Sequence, residues 1–131
     1  MQIRPRLGED PAQLVDVLVT AVPFMEDGKP GKPVTVVVEV KCAWNPGVLE
    51  DMERQLYSRY LGNNELDFGI YVVAYFSCAG WNRPDDARRS SGASGMNIDD
   101  IGARLRSQAQ TLSSTEKRLE AVVIDARLTT G

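Results

Sequence analysis

The sequence predicts an α/β domain in which a mixed central β-sheet is flanked by helices. Strand-length runs rich in Val, Ile and Tyr alternate with two segments whose apolar residues recur at helical spacing. Gly- and Pro-rich turns separate these segments, and 131 residues suffice for a single domain with its own core. The predicted order is strand, strand, helix, strand, helix, strand.

The first two strands are predicted to form an antiparallel hairpin. Residues 13–24 form the first strand, the polar Gly/Pro segment 26–33 turns the chain, and the β-branched run 34–41 is the second strand. Pro46 stands where a helix would begin. Helical spacing then extends over 48–61, with the apolar positions Val48, Leu49, Met52, Leu56, Tyr60 and Leu61 largely on one face.

The second half of the chain is predicted to add a strand, a helix and a last strand. Residues 68–76 are a continuous apolar run, which is typical of a central strand. The segment 77–97, rich in Ser, Gly, Arg and Asp, is the longest loop. Asn97 is then placed to cap a helix over 98–112, and residues 119–126 form the final strand.

Composition limits the chemistry that this chain can perform. There is no histidine, which excludes Ser-His and Cys-His nucleophilic catalysis and leaves carboxylates as the only strong metal ligands. Carboxylates select hard cations such as Mg²⁺ or Mn²⁺. The net charge of −3 is unusual for an autonomous nucleic-acid binder, so either the basic residues gather on one face or another domain contributes most of the affinity.

The sequence also indicates a cellular compartment. No apolar run is long enough to span a bilayer and the start lacks a signal-peptide pattern, so we expect a cytoplasmic protein with no membrane partner. In that setting Cys42 and Cys78 are expected to be free thiols. The abrupt start suggests a fragment or the C-terminal domain of a longer protein, with the other domains of that protein as partners.

Charged residues on apolar strands mark a candidate site. Glu39 and Lys41 are two residues apart on the second strand and therefore project from the same face. Asp16 lies in the middle of the first strand. Ionisable groups on otherwise apolar strands are costly unless they pair or bind something. An acid followed by an acid-x-Lys on the next strand is the spacing that a metal-dependent phosphodiesterase needs.

These residues resemble the PD-(D/E)xK nuclease superfamily, which has the restriction-endonuclease-like fold. The similarity is carried by Val15-Asp16-Val17, by Val38-Glu39-Val40-Lys41 and by Gln55-Leu56 on the following helix. It extends over roughly residues 3–126 and is greatest for bacterial domains appended to larger proteins. The sequence departs from the family in lacking an N-terminal helix and in reading Gln-x4-Tyr where related nucleases read Gln-x3-Tyr.

The resemblance implies a set of site residues. Asp16, Glu39 and the backbone carbonyl of Val40 would bind Mg²⁺ or Mn²⁺. Lys41 would act on the attacking water or the scissile phosphate. Gln55 would hydrogen-bond the water or the DNA backbone, and the predicted DNA contacts are Trp44, Asn45, Arg88 and Arg89.

Two functions from different classes remain open at this point. The first is a Mg²⁺- or Mn²⁺-dependent deoxyribonuclease, an effector or processing domain in bacterial defence, with DNA as substrate and a homodimer as one assembly. The second is an inactive nuclease-fold module that binds nucleic acid or protein. Simpler roles also exist for each residue: Glu39 and Lys41 as an ion pair, Asp16 as a solvated acid, and Trp44 as a packing residue.

Overall fold

The computed structural model describes residues 16–62, 66–78, 80–81, 85 and 95–128. The α/β class and the element order predicted from the sequence are confirmed. Four strands and two helices follow in the order β1 (Val17–Ala21), β2 (Val34–Cys42), a π-helix (Met52–Gly62), β3 (Phe68–Tyr75), an α-helix (Ile98–Leu112) and β4 (Arg118–Asp125).

The strands form one mixed sheet in the order β1-β2-β3-β4. β1 pairs antiparallel with β2, which confirms the predicted hairpin, and its Val17 faces Val38. β2, β3 and β4 run parallel to one another, with Glu39 beside Tyr71 and Tyr71 beside Ala121. Parallel neighbours require a crossover connection, and the two helices provide these crossovers.

Both helices cover the same face of the sheet, whereas the sequence predicted a sheet flanked by helices. The two crossovers step in the same direction, from β2 to β3 and from β3 to β4. Right-handed crossovers that step the same way place their helices on one side. The core lies on that side, where Val37, Tyr71 and Leu119 of the sheet meet Leu56 of the π-helix and Leu105 of the α-helix.

The α-helix matches its predicted bounds, 98–112. The side-chain oxygen of Asn97 accepts a hydrogen bond from the backbone N–H of Asp100 at 2.8 Å, which confirms the predicted cap. Asp99 and Asp100 place negative charge in the first turn, where the helix dipole favours it.

The other helix begins later than predicted. Helical spacing over 48–61 is realised as turns over residues 46–50 followed by the π-helix Met52–Gly62. Its carboxyl end is secured by the Lys117 ammonium, which donates to the carbonyls of Leu61 at 3.4 Å and Leu66 at 2.8 Å. These contacts satisfy backbone acceptors that a helix end leaves open.

Strand bounds differ from the predictions by small amounts except at β1. The predicted strand 13–24 is observed as Val17–Ala21, and residues 13–15 lie outside the described part of the chain. Beyond Ala21 the polypeptide turns, and Phe24 forms an isolated bridge with Pro30. Most of the predicted loop 77–97, including Arg88 and Arg89, also lies outside the described residues.

Candidate functional site

The charged pair predicted on β2 is part of a buried network with a third member. The Lys41 ammonium lies 3.5 Å from Oε1 of Glu39 and 3.4 Å from Oδ2 of Asp51. Glu39 is 1% exposed and Asp51 is 8% exposed. We call Glu39, Lys41 and Asp51 the charged cluster.

Strand geometry explains why Glu39 and Lys41 lie together. Both project from the helix-covered face of β2, because side chains alternate and Val37 on the same face is fully buried. Asp51 comes from the turn that enters the π-helix, and its backbone N–H donates to the carbonyl of Gly47 at 2.9 Å. The charged cluster therefore joins the sheet to the helical layer.

Gly47 makes room for the Asp51 carboxylate. A Cβ atom at position 47 would lie 2.7 Å from Oδ2 of Asp51, closer than side chains approach in proteins. Asn45 shapes the same turn, since its side-chain oxygen accepts a hydrogen bond from the N–H of Gly47 at 2.8 Å. The side chain of Asn45, a predicted DNA contact, is therefore hydrogen-bonded within its own turn.

Asp16 lies next to the charged cluster. Its Oδ2 accepts a hydrogen bond from the backbone N–H of Val40 at 2.7 Å, so it contacts the strand between Glu39 and Lys41. Continuing the β1–β2 register by one residue also places Asp16 opposite Glu39. The structure thus brings together three of the predicted residues, Asp16, Glu39 and Lys41, and adds Asp51.

Tyr71 packs beneath the cluster on the neighbouring strand. It pairs in register with Glu39, is fully buried, and its hydroxyl donates to the carbonyl of Val48 at 2.7 Å. Burial raises the pKa of Tyr71 strongly above its ordinary value, and the negative charges of Asp51 and Glu39 raise it further. Tyr71 is therefore a neutral hydrogen-bond donor at physiological pH.

The other predicted site residues lie around this centre. Gln55 is half-buried on the π-helix, one turn after Asp51, and no hydrogen bond of the described residues joins it to Glu39 or Lys41. Trp44 follows β2 and packs against Phe76 with 5.2 Å between ring centroids. Phe76 in turn contacts Trp81 at 6.3 Å, so a half-buried group of three aromatic rings follows the carboxyl ends of β2 and β3.

One surface cleft, of about 570 Å³, lies at the opposite end of the sheet from the charged cluster. It is lined by Asp67, Phe68 and residues 114–118, where β3 and β4 begin. Lys41 lies at the other end, where β2 finishes. In open α/β sheets ligands bind outside the carboxyl ends of the strands. Sheet topology therefore favours the charged cluster over this cleft as the ligand site.

The donor atoms suit a hard divalent cation in type, although the acids are not gathered as a metal cage. Within the described residues no three acidic or cysteine side chains lie close enough to form a metal-binding group. Mg²⁺ keeps several waters and needs only one or two protein carboxylates. Asp16 and Glu39, on adjacent strands, meet that requirement.

Sequence reasoning missed Asp51 and Tyr71. Asp51 directly precedes Met52 of the apolar stripe, where an acid at a helix start is ordinarily solvated. Tyr71 lies within an apolar strand, and nothing in that run distinguishes it from a core aromatic. The single usable signal was Gly47, four residues before Asp51, because glycine permits close approach of another group.

Comparison with known proteins adds no family to this description. No family model, curated protein or solved structure matches the chain. None of the helices in the described residues combines the length and apolar character needed to cross a bilayer. The two cysteines, Cys42 and Cys78, are free thiols as expected.

Replacing Gly47 with alanine should displace the Asp51 carboxylate from Lys41. We expect Gly47→Ala to lower the free energy of unfolding by about 1–3 kcal/mol, the usual cost of forcing an extra carbon into a packed site. Chemical denaturation measures this change. The matched control is Gly62→Ala, whose Cβ would lie an ordinary 3.5 Å from the nearest atom, the carbonyl oxygen of Tyr57. Equal effects of the two substitutions would contradict the packing argument.

Tyr71 should make the protein lose stability at alkaline pH. Since the folded state raises the pKa of Tyr71, the unfolded chain releases that proton first, and stability falls as the pH rises above the ordinary tyrosine value of ~10. One such group contributes about 1.4 kcal/mol per pH unit there. Tyr71→Phe should be less stable at neutral pH but decline less steeply, whereas the half-buried control Tyr57→Phe should keep the wild-type slope. Parallel slopes for all three proteins in denaturation series would refute the assignment.

Proposed function

We propose that this chain is a divalent-metal-dependent nuclease domain that hydrolyses DNA phosphodiester bonds. The proposal is carried by one observation: a lysine flanked by two buried acids, with a third acid hydrogen-bonded to the strand between them. These four side chains lie at the end of a parallel strand, where α/β proteins place their ligands. Three of the four, Asp16, Glu39 and Lys41, also carry the resemblance to the PD-(D/E)xK superfamily.

Asp16 and Glu39 are assigned to metal binding, with the Val40 carbonyl as a third oxygen. Bound Mg²⁺ or Mn²⁺ would supply a water of lowered pKa and charge relief for the phosphate. The hydrogen bond from Val40 N–H to Asp16 fixes that carboxylate against the strand that carries Glu39. A fixed carboxylate loses less conformational freedom on binding an ion, which favours binding.

Lys41 is assigned to the reacting phosphate or water. Its ammonium is a compact donor of positive charge, suited to an oxygen on which negative charge develops. Glu39 and Asp51 hold the ammonium from two sides, at 3.5 Å and 3.4 Å. Asp51 is a positioning residue in this scheme, since it acts through Lys41.

The DNA-binding surface would extend from the charged cluster to Trp44. Aromatic rings stack on bases without sequence preference, which suits an effector that degrades foreign DNA. The role in bacterial defence and the larger parent protein follow from the resemblance. With a net charge of −3 the chain should bind DNA weakly by itself, and other domains would add affinity.

A second function is favoured by a specific observation. The Lys41 ammonium already lies between two carboxylates, so the cluster is an internally compensated ion network. Such a network is compatible with a nuclease-fold module that binds nucleic acid or protein without turnover. Metal binding separates the two functions, because the module has no need of it.

Cleavage of DNA by the purified chain should depend on Glu39. Plasmid and linear DNA incubated with Mg²⁺, Mn²⁺ or EDTA should be degraded only with metal. We expect Glu39→Gln to lower the rate roughly 100-fold or more, because losing a ligand removes a few kcal/mol of transition-state stabilisation. Glu120→Gln is the control, since Glu120 is an exposed acid on β4. Equal rates for the two variants would exclude the charged cluster as the site. An inert wild-type chain that binds no Mn²⁺ would favour the binding module.

Lys41 should be needed for cleavage but not for metal binding. We expect Lys41→Met to lower the rate on the order of 10²–10³-fold, the range seen when one donor to a developing oxyanion is removed. Titration calorimetry should show that Mn²⁺ still binds, with heat that Asp16→Ala abolishes. Lys41→Met leaves the buried acids Glu39 and Asp51 without their ammonium partner, so this variant should be less stable than the wild type. Added Mn²⁺ should raise the melting temperature of Lys41→Met, because the ion binds the folded state. Wild-type cleavage by Lys41→Met would refute the assigned role.

A further inference from the structure

The sheet has a second apolar face, opposite the helices. Side chains alternate along each strand, so the residues between the core positions project to this side. We call the face that bears Val19, Val40, Val72, Val122 and Ile124 the open sheet face. The register is continuous across it, with Val40 beside Val72 and Val72 beside Val122.

The composition of this face resembles a protein interior. Along the described strands every position on it is Val, Ile, Ala, Phe or Cys except Arg118 and Glu120 at one corner. Yet the outer residues are half exposed, with Val19 and Ile124 each at 50%. On the helix-covered face, by contrast, the central positions Val37, Tyr71 and Val73 are fully buried. Three parallel strands with apolar residues on both faces are ordinarily covered on both sides.

The size of the open sheet face limits what can cover it. Four strands about 4.8 Å apart, five to nine residues long, give roughly 20 Å by 23 Å, or on the order of 450 Å² in projection. A contiguous apolar patch of this size is comparable to the largest patch on a typical monomer, which often has a function. Two such faces in contact remove on the order of 900 Å² in projection, and more once side-chain relief is counted. That approaches the ~1,000 Å² expected of a specific interface.

We infer that the open sheet face binds a second copy of this chain, forming a homodimer through face-to-face packing of the two sheets. A two-fold axis brings the same apolar face of each copy together and closes the assembly at two. Twisted sheets with β-branched side chains pack in this way about 10 Å apart, as in β-sandwiches. The helices form the outer layers.

Charge on the face favours a copy of itself. The two charged residues of the open sheet face, Arg118 and Glu120, lie 3.4 Å apart and compensate each other. The face thus has no net charge to repel an identical face. A strongly acidic or basic partner would find no complementary charge there.

This inference goes beyond the proposed nuclease function and does not depend on it. Glu39 and Lys41 project to the helix-covered side, so dimer formation leaves the charged cluster uncovered by the partner copy. The assembly state and the chemistry can therefore be tested separately. A chain that dimerises without cutting DNA, or cuts without dimerising, would separate the two proposals.

Sedimentation equilibrium of the full chain, from low to high micromolar concentrations, tests the dimer. The wild-type protein should be a dimer. Val122→Lys should raise the dissociation constant roughly 100-fold or more, because two-fold symmetry buries two unpaired ammonium groups, one from each copy, in one interface. The matched control is Leu128→Lys, since Leu128 and Val122 are both 46% exposed and Leu128 lies beyond the strand ladder. It should remain dimeric.

Each alternative result overturns the inference. A wild-type protein that is monomeric at all concentrations would refute the dimer. Binding of a hydrophobic dye would then tell whether the open sheet face is exposed or covered by another segment of the chain. A dimer that survives Val122→Lys would place the interface elsewhere. Circular dichroism must show that the variant folds. If it does not, Val19→Ser on β1 takes its place, with the same expected direction.

Discussion

The pairing of Glu39 with Lys41 is the constraint on which the arrangement of this domain depends. A carboxylate that is 1% exposed is unfavourable without a compensating charge, and Lys41 on the same strand face supplies it at 3.5 Å. Lys41 in turn draws in Asp51, which belongs to the start of the π-helix. The ion network therefore fixes where the first crossover meets the sheet. The Asp51 carboxylate occupies the space that a side chain at position 47 would need, so only glycine fits there.

The position of Tyr71 follows from the same network. It lies beside Glu39 in the sheet, and its hydroxyl reaches the carbonyl of Val48 in the turn before the π-helix. A buried phenol that must remain protonated is tolerated near two acids because the neutral form has no charge to repel them. Strand, turn and helix are thus joined by one hydrogen bond and one ion network. The apolar residues around them, such as Leu56, complete the layer.

The sequence was sufficient for the elements whose signal is local. The α-helix 98–112 was predicted to the residue because Asn97, the acids after it and the apolar spacing all agree. The order of strands and helices followed from alternating patterns. Glu39 and Lys41 were placed on one face because alternation along a strand is a geometric rule. Each of these inferences needs only residues close in the chain.

What could not be predicted depends on the crossovers. No local pattern shows that both connections step the same way, so a sheet flanked by helices was expected, whereas both helices of the described residues lie on one side. Asp51 was missed for the same reason, since its partner Lys41 is ten residues away and across a turn. Strand β1 ends at Ala21 because the chain turns there. Residues 22–24 do not continue the alternation of side chains that a strand requires.

The energetics of the charged cluster bear on its purpose. Replacing a buried ion network with apolar residues of similar volume is often neutral or stabilising, because desolvation of the charges offsets their attraction. Stability alone therefore does not require Glu39, Lys41 and Asp51 at a place where Val or Leu would pack. The open sheet face makes the contrast sharper, since the same strands carry only apolar residues there, mostly Val and Ile, apart from Arg118 and Glu120. This chain fills one face of its sheet with apolar residues, yet places a lysine and two acids at the end of the other. The proposed nuclease function accounts for that contrast, because it assigns a cation to the acids and a phosphate to the ammonium.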